Sequence, residues 1–270
     1  MRRIGRFWKR YSGFARCAME MRMAYRTGFL FNWVSSLVGI LVSIFLWRVL
    51  FQAQSTIQGY DWNQMVLYAL IVALLNATIS MSTEMNLSEK ILDGSIASDL
   101  TKPVDIQHMS FFQALGESAV EGGGFLVVVS AMALLLTDLS EYLIPARLLL
   151  FALSLVLAFL LKFCLAYLGG LLCFFTSNGY GVVYLRQVIT DVFSGAMLPL
   201  SFYPLWFQKL ANVLPFQASV YLPTQIFLGR AEGRELAVTL LIQAVWAVVL
   251  WIGARFCFRL AVRRITIQGG

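Results

Sequence analysis

Residues 2–51 read RRIGRFWKRYSGFARCAMEMRMAYRTGFLFNWVSSLVGILVSIFLWRVLF, and the change of character inside this stretch decides the class of fold. Arg2, Arg3, Arg6, Lys9, Arg10, Arg16, Arg22 and Arg26 crowd its first half, whereas from Gly28 to Phe51 the only charged residue is Arg48. About 20 apolar residues in a row match the roughly 30 Å hydrocarbon core of a bilayer when wound as a helix. Five more apolar stretches lie at 62–83, 110–136, 147–175, 181–200 and 236–257. The predicted fold is an all-α membrane protein with six transmembrane helices. Composition agrees: 59% of the 270 residues are hydrophobic and 13% charged, against roughly 25% charged in soluble domains. Water-soluble enzymes, disordered chains and disulfide-built secreted domains are excluded.

The net charge of +7 would suit nucleic acid only if the cations shared a soluble face. They do not, and no nucleic-acid partner is expected. Arg255, Arg259, Arg263 and Arg264 join the N-terminal group, and Lys90, Lys102 and Arg186 lie in loops on the same side. Fifteen of the 21 cations thus fall on one side, which the positive-inside rule makes cytoplasmic, with both termini there. Arg48, Arg147, Lys209, Arg230 and Arg234 remain outside and Lys162 within a span. The expected location is the bacterial cytoplasmic (inner) membrane. The basic start lacks the short apolar core and small-residue site of a cleavable signal, so the first span is expected to be retained. Cys17, Cys164, Cys173 and Cys257 have no CxxC spacing and read as small packing residues in a reducing setting.

Three segments stand apart from the spans. Ile4, Phe7, Trp8, Tyr11, Phe14, Ala15 and Ala18 recur at helical spacing among the N-terminal cations, the pattern of an interfacial amphipathic helix with its aromatics in the acyl boundary. It serves either as an anchor and topology signal or as an elbow feeding the first span. Residues 84–109 form the longest polar stretch, with Glu84, Glu89, Lys90, Asp93, Asp99, Lys102, Asp105 and the single histidine, His108. Ser88 is placed to cap a short helix presenting Ile91 and Leu92, Gly94 to end it and Pro103 to break a second one. The form is that of a docking element or of a plain solvated connection. Residues 199–230 hold Pro199, Pro204, Pro215 and Pro223, too many for one helix, yet Phe202, Trp206, Phe207, Leu210, Val213 and Phe216 make the segment too apolar for a free loop. Short helices re-entering the outer leaflet as a hairpin before the last span are expected, packed on protein.

Ionisable groups within a bilayer are either paired or functional. Gln113, Glu117 and Glu121 share a helix face, four residues apart. Glu121 and Lys162 lie at matching depths of roughly 16 Å, so they are expected to form an intramembrane pair. Asn76 and Ser80, with Gln187 and Asp191, add polar groups that can line a pathway. Gly122, Gly123 and Gly124 allow a close helix approach or a bend. Catalytic signals are poor: one histidine excludes His-based triads and HExxH metal sites, no GxxxxGK[ST] loop is present, and Asp93 and Asp99 match no paired-aspartate motif. The chain is expected to be no enzyme and to carry no cofactor or metal.

Two segments carry a family resemblance. One runs Glu89-Lys90-Ile91-Leu92-Asp93-Gly94-Ser95-Ile96 to Leu100 and Pro103; the other runs Leu198-Pro199, Tyr203-Pro204-Leu205-Trp206, Leu214-Pro215-Phe216, Tyr221-Leu222-Pro223 and Gly229. With the basic start and six spans, they make the chain resemble the permease subunits of type-2 ABC exporters, in the small six-span subgroup that includes viologen-type exporters. The resemblance implies one transmembrane permease domain over 1–270, with a cytoplasmic elbow helix at 1–27, a coupling loop at 84–109 and extracellular re-entrant helices at 199–230. It further implies an ABC ATPase subunit dimer that binds ATP and magnesium and docks on Glu89, Ile91, Leu92, Asp93, Gly94, Ser95, Ile96, Leu100 and Pro103. A second permease, identical or sibling, and membrane lipid complete the partners. Pro199, Tyr203, Pro204, Trp206, Pro215, Phe216, Tyr221 and Pro223 would form an extracellular gate, and Asn76, Gln113, Glu117, Glu121, Lys162 and Asp191 the path or its internal pairs. The implied function is ATP-driven export of a hydrophobic or amphiphilic substrate by alternating access, Glu117 and Glu121 suiting a cation. The alternative is an ion- or proton-coupled transporter or channel working without an ATPase.

Overall fold

A computed structural model describes residues 2–79, 81–176 and 178–263, with side chains apart from those of 2–9, 81 and 82. Ser80 and Arg264, and the side chains of Arg2, Arg3, Ile4, Arg6, Phe7, Trp8 and Lys9, lie outside the described residues. Among the described residues the chain is all-helical: α1 (Arg2–Ala24), α2 (Arg26–Phe51), α3 (Trp62–Thr78), α4 (Met81–Leu92), α5 (Ile96–Leu100), α6 (Ile106–Leu136), α7 (Pro145–Leu171), α8 (Gly179–Phe193), α9 (Leu205–Val213), α10 (Tyr221–Phe227) and α11 (Gly233–Val262). Among the described residues five helical runs are long and apolar enough to cross a membrane: α2, Trp62–Leu92 (α3 with α4), α6, Pro145–Phe174 and α11.

Local chemistry sets the helix starts. The Asp61 carboxylate accepts the Gln64 N–H at 2.7 Å and Asp105 accepts that of His108 at 3.0 Å, each capping a first turn. Pro145 opens α7, where its missing N–H costs nothing. The run α3 is apolar on all sides and buried on nearly all, and Met65, Leu67, Leu70 and Leu75 pack with Phe125, Ala158 and Ile226 into the main core. By contrast α2 and α11 expose Phe31, Val42, Phe45, Val248 and Ile252, apolar surface of the kind that lipid covers. Of the glycine run, Gly124 approaches α2 so closely that a Cβ would meet the Trp33 ring at 2.4 Å.

The two ends of the bundle are tied differently. At one, Asn63 and Asp138 exchange hydrogen bonds of 2.9 and 3.0 Å between the starts and ends of neighbouring helices. At the other, Asp105 accepts from Arg255 at 2.7 Å, pairs with His108 Nδ1 at 2.9 Å and receives α1 through its own N–H, which donates to the Tyr11 hydroxyl at 3.0 Å. His108 stands edge-on to Trp251 with centroids 5.4 Å apart.

Several expectations are revised. The helix expected over 62–83 ends at Thr78, with Ile79 extended, and a second helix, α4, takes the apolar run on from Met81 to Leu92. Ser88 is inside α4, donating to its own i−4 carbonyl at Glu84 (2.9 Å) rather than capping; Gly94, at φ +78, does end the segment. The helix expected over 181–200 ends at Phe193, where Ser194 caps it and Gly195 turns left-handed at φ +81. At 15 residues, α8 is shorter than the roughly 20 that span a bilayer upright. The apolar face of α1 packs on α6 instead of lying only on lipid: Tyr11 is buried and stacks on Phe112 at 5.5 Å.

Candidate functional site

The α4–α5 turn projects from the end of the bundle that also holds α1 and the end of α11. Gly94 reverses the chain, and Asp93 accepts the Ser95 N–H at 2.8 Å, which holds its carboxyl below the ordinary value. Ile96 points inward, 2% exposed, and packs near Leu87, Ile106 and Met109, so it anchors α5 rather than presenting it. Leu92 and Leu100 remain 44% and 39% exposed, with Glu89, Asp93, Gly94, Ser95 and Pro103 around them, and Ile91 half-buried. Asp99, given no docking role from the sequence, is the latch: its two carboxylate oxygens accept from Lys90 at 2.8 Å and Lys102 at 2.6 Å. Burial alone raises this carboxyl, but the bonds from Lys102 and Lys90 outweigh it and hold it below its ordinary 3.8. A depressed carboxyl contributes above its unfolded value and is lost only as pH falls through the folded one. The latch is therefore expected to hold unchanged from pH 8 to pH 5; proteolytic nicking of the turn that rises within that window would contradict it.

The expected Glu121–Lys162 pair is replaced by two separate arrangements. Glu121, 4% exposed, takes Arg22 of α1. Lys162 donates to the Leu75 carbonyl at 2.5 Å and to Asn76 Oδ1 at 2.9 Å, and faces a small cavity shared with Gln187, Thr190 and Asp191. Sequence spacing fixes no direction around a helix axis, and Lys162 turns toward α3. Asn76, Lys162 and Asp191 are thus brought together, while Gln113 and Glu117 line a different cavity between α1, α4 and α6. A pair that sequence reading missed joins α4 to α8: Arg186 Nε donates to Glu84 Oε2 at 2.6 Å, the Glu84 side chain being 0% exposed. From Arg186 the bonds continue to Gln187 (3.1 Å) and from Gln187 to Asp191 (2.9 Å). Gly169 leaves room for this carboxylate, since a Cβ there would run into the other Glu84 oxygen.

At the opposite end the proline-rich segment folds back onto the bundle. Pro199, Pro215 and Pro223 are buried and Pro204, before α9, is exposed. Tyr203 and Phe193 stack on Phe207 at 4.5 and 4.9 Å, with Phe216 beside Phe193. The Tyr221 N–H donates to Ser194 O at 3.0 Å, and Trp206 stands 68% exposed. A buried clamp, also missed, fixes the segment: Gln243 of α11 donates to Ala218 O at 2.8 Å and accepts from Ser154 Oγ of α7 at 2.8 Å. Gln243→Leu leaves both partners unpaired, and the melting temperature of the detergent-extracted protein should fall by the equivalent of about 1–3 kcal/mol; an unchanged transition would remove the clamp from the account.

Two of these regions stand out: a latched, half-apolar turn at one end and a clamped cap at the other. No curated protein and no solved structure matches the chain. The profile of the family described as ABC-2 family transporter protein matches residues 37–269, and its members normally work with an ABC ATPase. With that match over most of its length, the chain belongs to the ABC-2 transporter family, as a transmembrane permease.

Proposed function

We propose that the chain is the permease subunit of an ATP-driven ABC exporter that moves a hydrophobic or amphiphilic substrate outward by alternating access. In this reading α8 with the turns after it makes a sixth crossing, both termini face the cytoplasm of a bacterial inner membrane, and α1 is the elbow helix at that face. An ABC ATPase dimer, holding ATP and magnesium, docks on the α4–α5 turn; a second permease, identical or sibling, completes the pore. Residues 199–230 re-enter from the outside and form the gate. The observation that carries the reading is the α4–α5 turn itself. It exposes Leu92 and Leu100 beside acidic and small residues, while Ile96 and the Lys90–Asp99–Lys102 latch tie it to α4 and the core. A push on the turn is therefore delivered to α4, and through Glu84 to α8.

The test is photocrosslinking in the native membrane. A photoreactive residue at Leu100 is expected to capture a Walker-motif ATPase, and the same probe at Trp206, at the opposite end, to capture none. Capture of no ATPase from Leu100, or equal capture from both positions, would overturn the docking assignment.

A further inference from the structure

The second membrane run, Trp62–Leu92, is interrupted: α3 ends at Thr78, Ile79 is extended at φ −126 and ψ 109, and α4 starts at Met81. A break is costly in a bilayer, because backbone groups released from a helix find no water there. Sharp kinks come from proline, from glycine and serine pairs, from π-bulges, or from a side chain inserted into the ladder of backbone bonds. Residues 62–92 contain neither proline nor glycine. An inserted side chain is present. In a continuous helix the Leu75 carbonyl would accept from the N–H of Ile79, the residue at which the helix stops. Here Lys162 Nζ of α7 donates to that carbonyl at 2.5 Å and to Asn76 Oδ1 at 2.9 Å. Thr78 Oγ1 adds a 2.6 Å bond to the same carbonyl, a back-bond that bends a helix without ending it. The ammonium also sits at the C-terminal end of α3, where the helix dipole favours a cation. Gly122 of α6 packs against the break, a Cβ built there lying 3.4 Å from Thr78 Cα, so the released backbone is covered by protein.

The break falls where the chain passes from one core to another. Met65, Leu70 and Leu75 of α3 belong to the main core, whereas Leu87 and Ile91 of α4 pack in a second cluster with Ile96, Ile106 and Met109. We infer that Lys162 is a positioning residue that holds the second span broken at Ile79, making a hinge on which α4 and its turn move against α3. The inference rests on the coupling reading of the α4–α5 turn for its purpose. One continuous helix over the 31 residues of this run would carry a push on the turn straight into the main core. The hinge sends it instead through Glu84 to Arg186 of α8. Asp191 of α8 lines the same small cavity as Lys162, so the pin has a counter-charge on the helix that receives the push.

The backbone of Ile79 reports the pin directly, by nuclear magnetic resonance on the purified full chain in detergent without any ATPase. With isotope-labelled isoleucine, and the signal assigned by its loss in Ile79→Val, the Cα shift of the unaltered chain is expected in the extended range. Lys162→Met should move it to the helical range and slow amide exchange at Ile79 about tenfold or more, as its N–H regains the Leu75 carbonyl. Lys162→Arg, which keeps a cation on that carbonyl, should leave both readings unchanged. If Lys162→Met does not fold, Lys162→Met with Asp191→Asn, which removes both charges from the cavity, is read in its place. A helical Ile79 in the unaltered chain or in Lys162→Arg, or an extended one without the lysine, would overturn the pin. In vesicles with the ATPase, Lys162→Met should lower transport about tenfold or more, and Lys162→Arg should restore it. Full transport through a closed helix would overturn the hinge. Because the backbone is read on the chain alone, failure there leaves the ATP-driven reading standing, whereas transport without an ATPase would end that reading and leave the pin.

Discussion

Arg186→Met should remove most of the folded protein from the membrane, and adding Glu84→Gln should bring most of it back. Glu84 is completely buried, and its partner Arg186 is 17% exposed and 2.6 Å away. The second carboxylate oxygen lies against Gly169, with no donor of its own among the described residues. Among the described residues no other cation pairs with Glu84 once the guanidinium is gone. Removing one partner of a buried ion pair costs about 3–5 kcal/mol, because the remaining charge is stranded where solvation is poor. That is a large share of the stability of a typical domain. Replacing both partners by neutral groups removes the stranded charge, so the double variant should be much nearer the original than either single one. Size-exclusion chromatography of the detergent-extracted protein reads this directly. A double variant no better than Arg186→Met alone would show that the arginine matters for its other bonds, to Gln187 and Thr190, and not for Glu84.

Asp99→Ala should leave the fold and the complex intact but separate ATP hydrolysis from transport. Lys90 and Lys102 are 36% and 49% exposed, so solvent screens both pairs and their combined worth is about 1 kcal/mol. Such a loss is too small to unfold the chain. It is enough to let α5 move independently of α4, since the remaining tie is chiefly Ile96 in its apolar pocket. In a complex with its ATPase, the variant is expected to hydrolyse ATP within about twofold of the original rate while transport drops about tenfold or more, a loss of about 1.4 kcal/mol in coupling. Parallel loss of both activities would place Asp99 in assembly of the complex instead.

The sequence declared its membrane class and some of its helix ends because those depend on composition along the chain. Phe51 and Leu136 end helices where the apolar runs end, Gly94 ends the α4 segment, and the prolines of 199–230 divide that region into short helices. What stayed hidden depends on direction around a helix axis. The spacing of Glu121 and Lys162 along their spans suggests a pair, but the cation bound to Glu121 comes from α1, 99 residues earlier in the chain. The Glu84–Arg186 pair is legible in the sequence only as two opposite charges near the same face of the membrane, because the polarity of 84–109 reads as a loop. A carboxylate ends a span when water must solvate it; with Arg186 supplied by α8, α4 continues through that position. Gln243 gave no signal beyond being one amide in an apolar helix, since its partners, Ser154 and the Ala218 carbonyl, lie on other elements.

The most direct measurement is transport of a radiolabelled amphiphilic cation in sealed vesicles holding the permease with and without its ATPase. The account predicts movement only when ATPase and ATP are present on the side of the α4–α5 turn, directed away from that side, and none from the permease alone under an ion or proton gradient. Gradient-driven transport by the permease alone would contradict it.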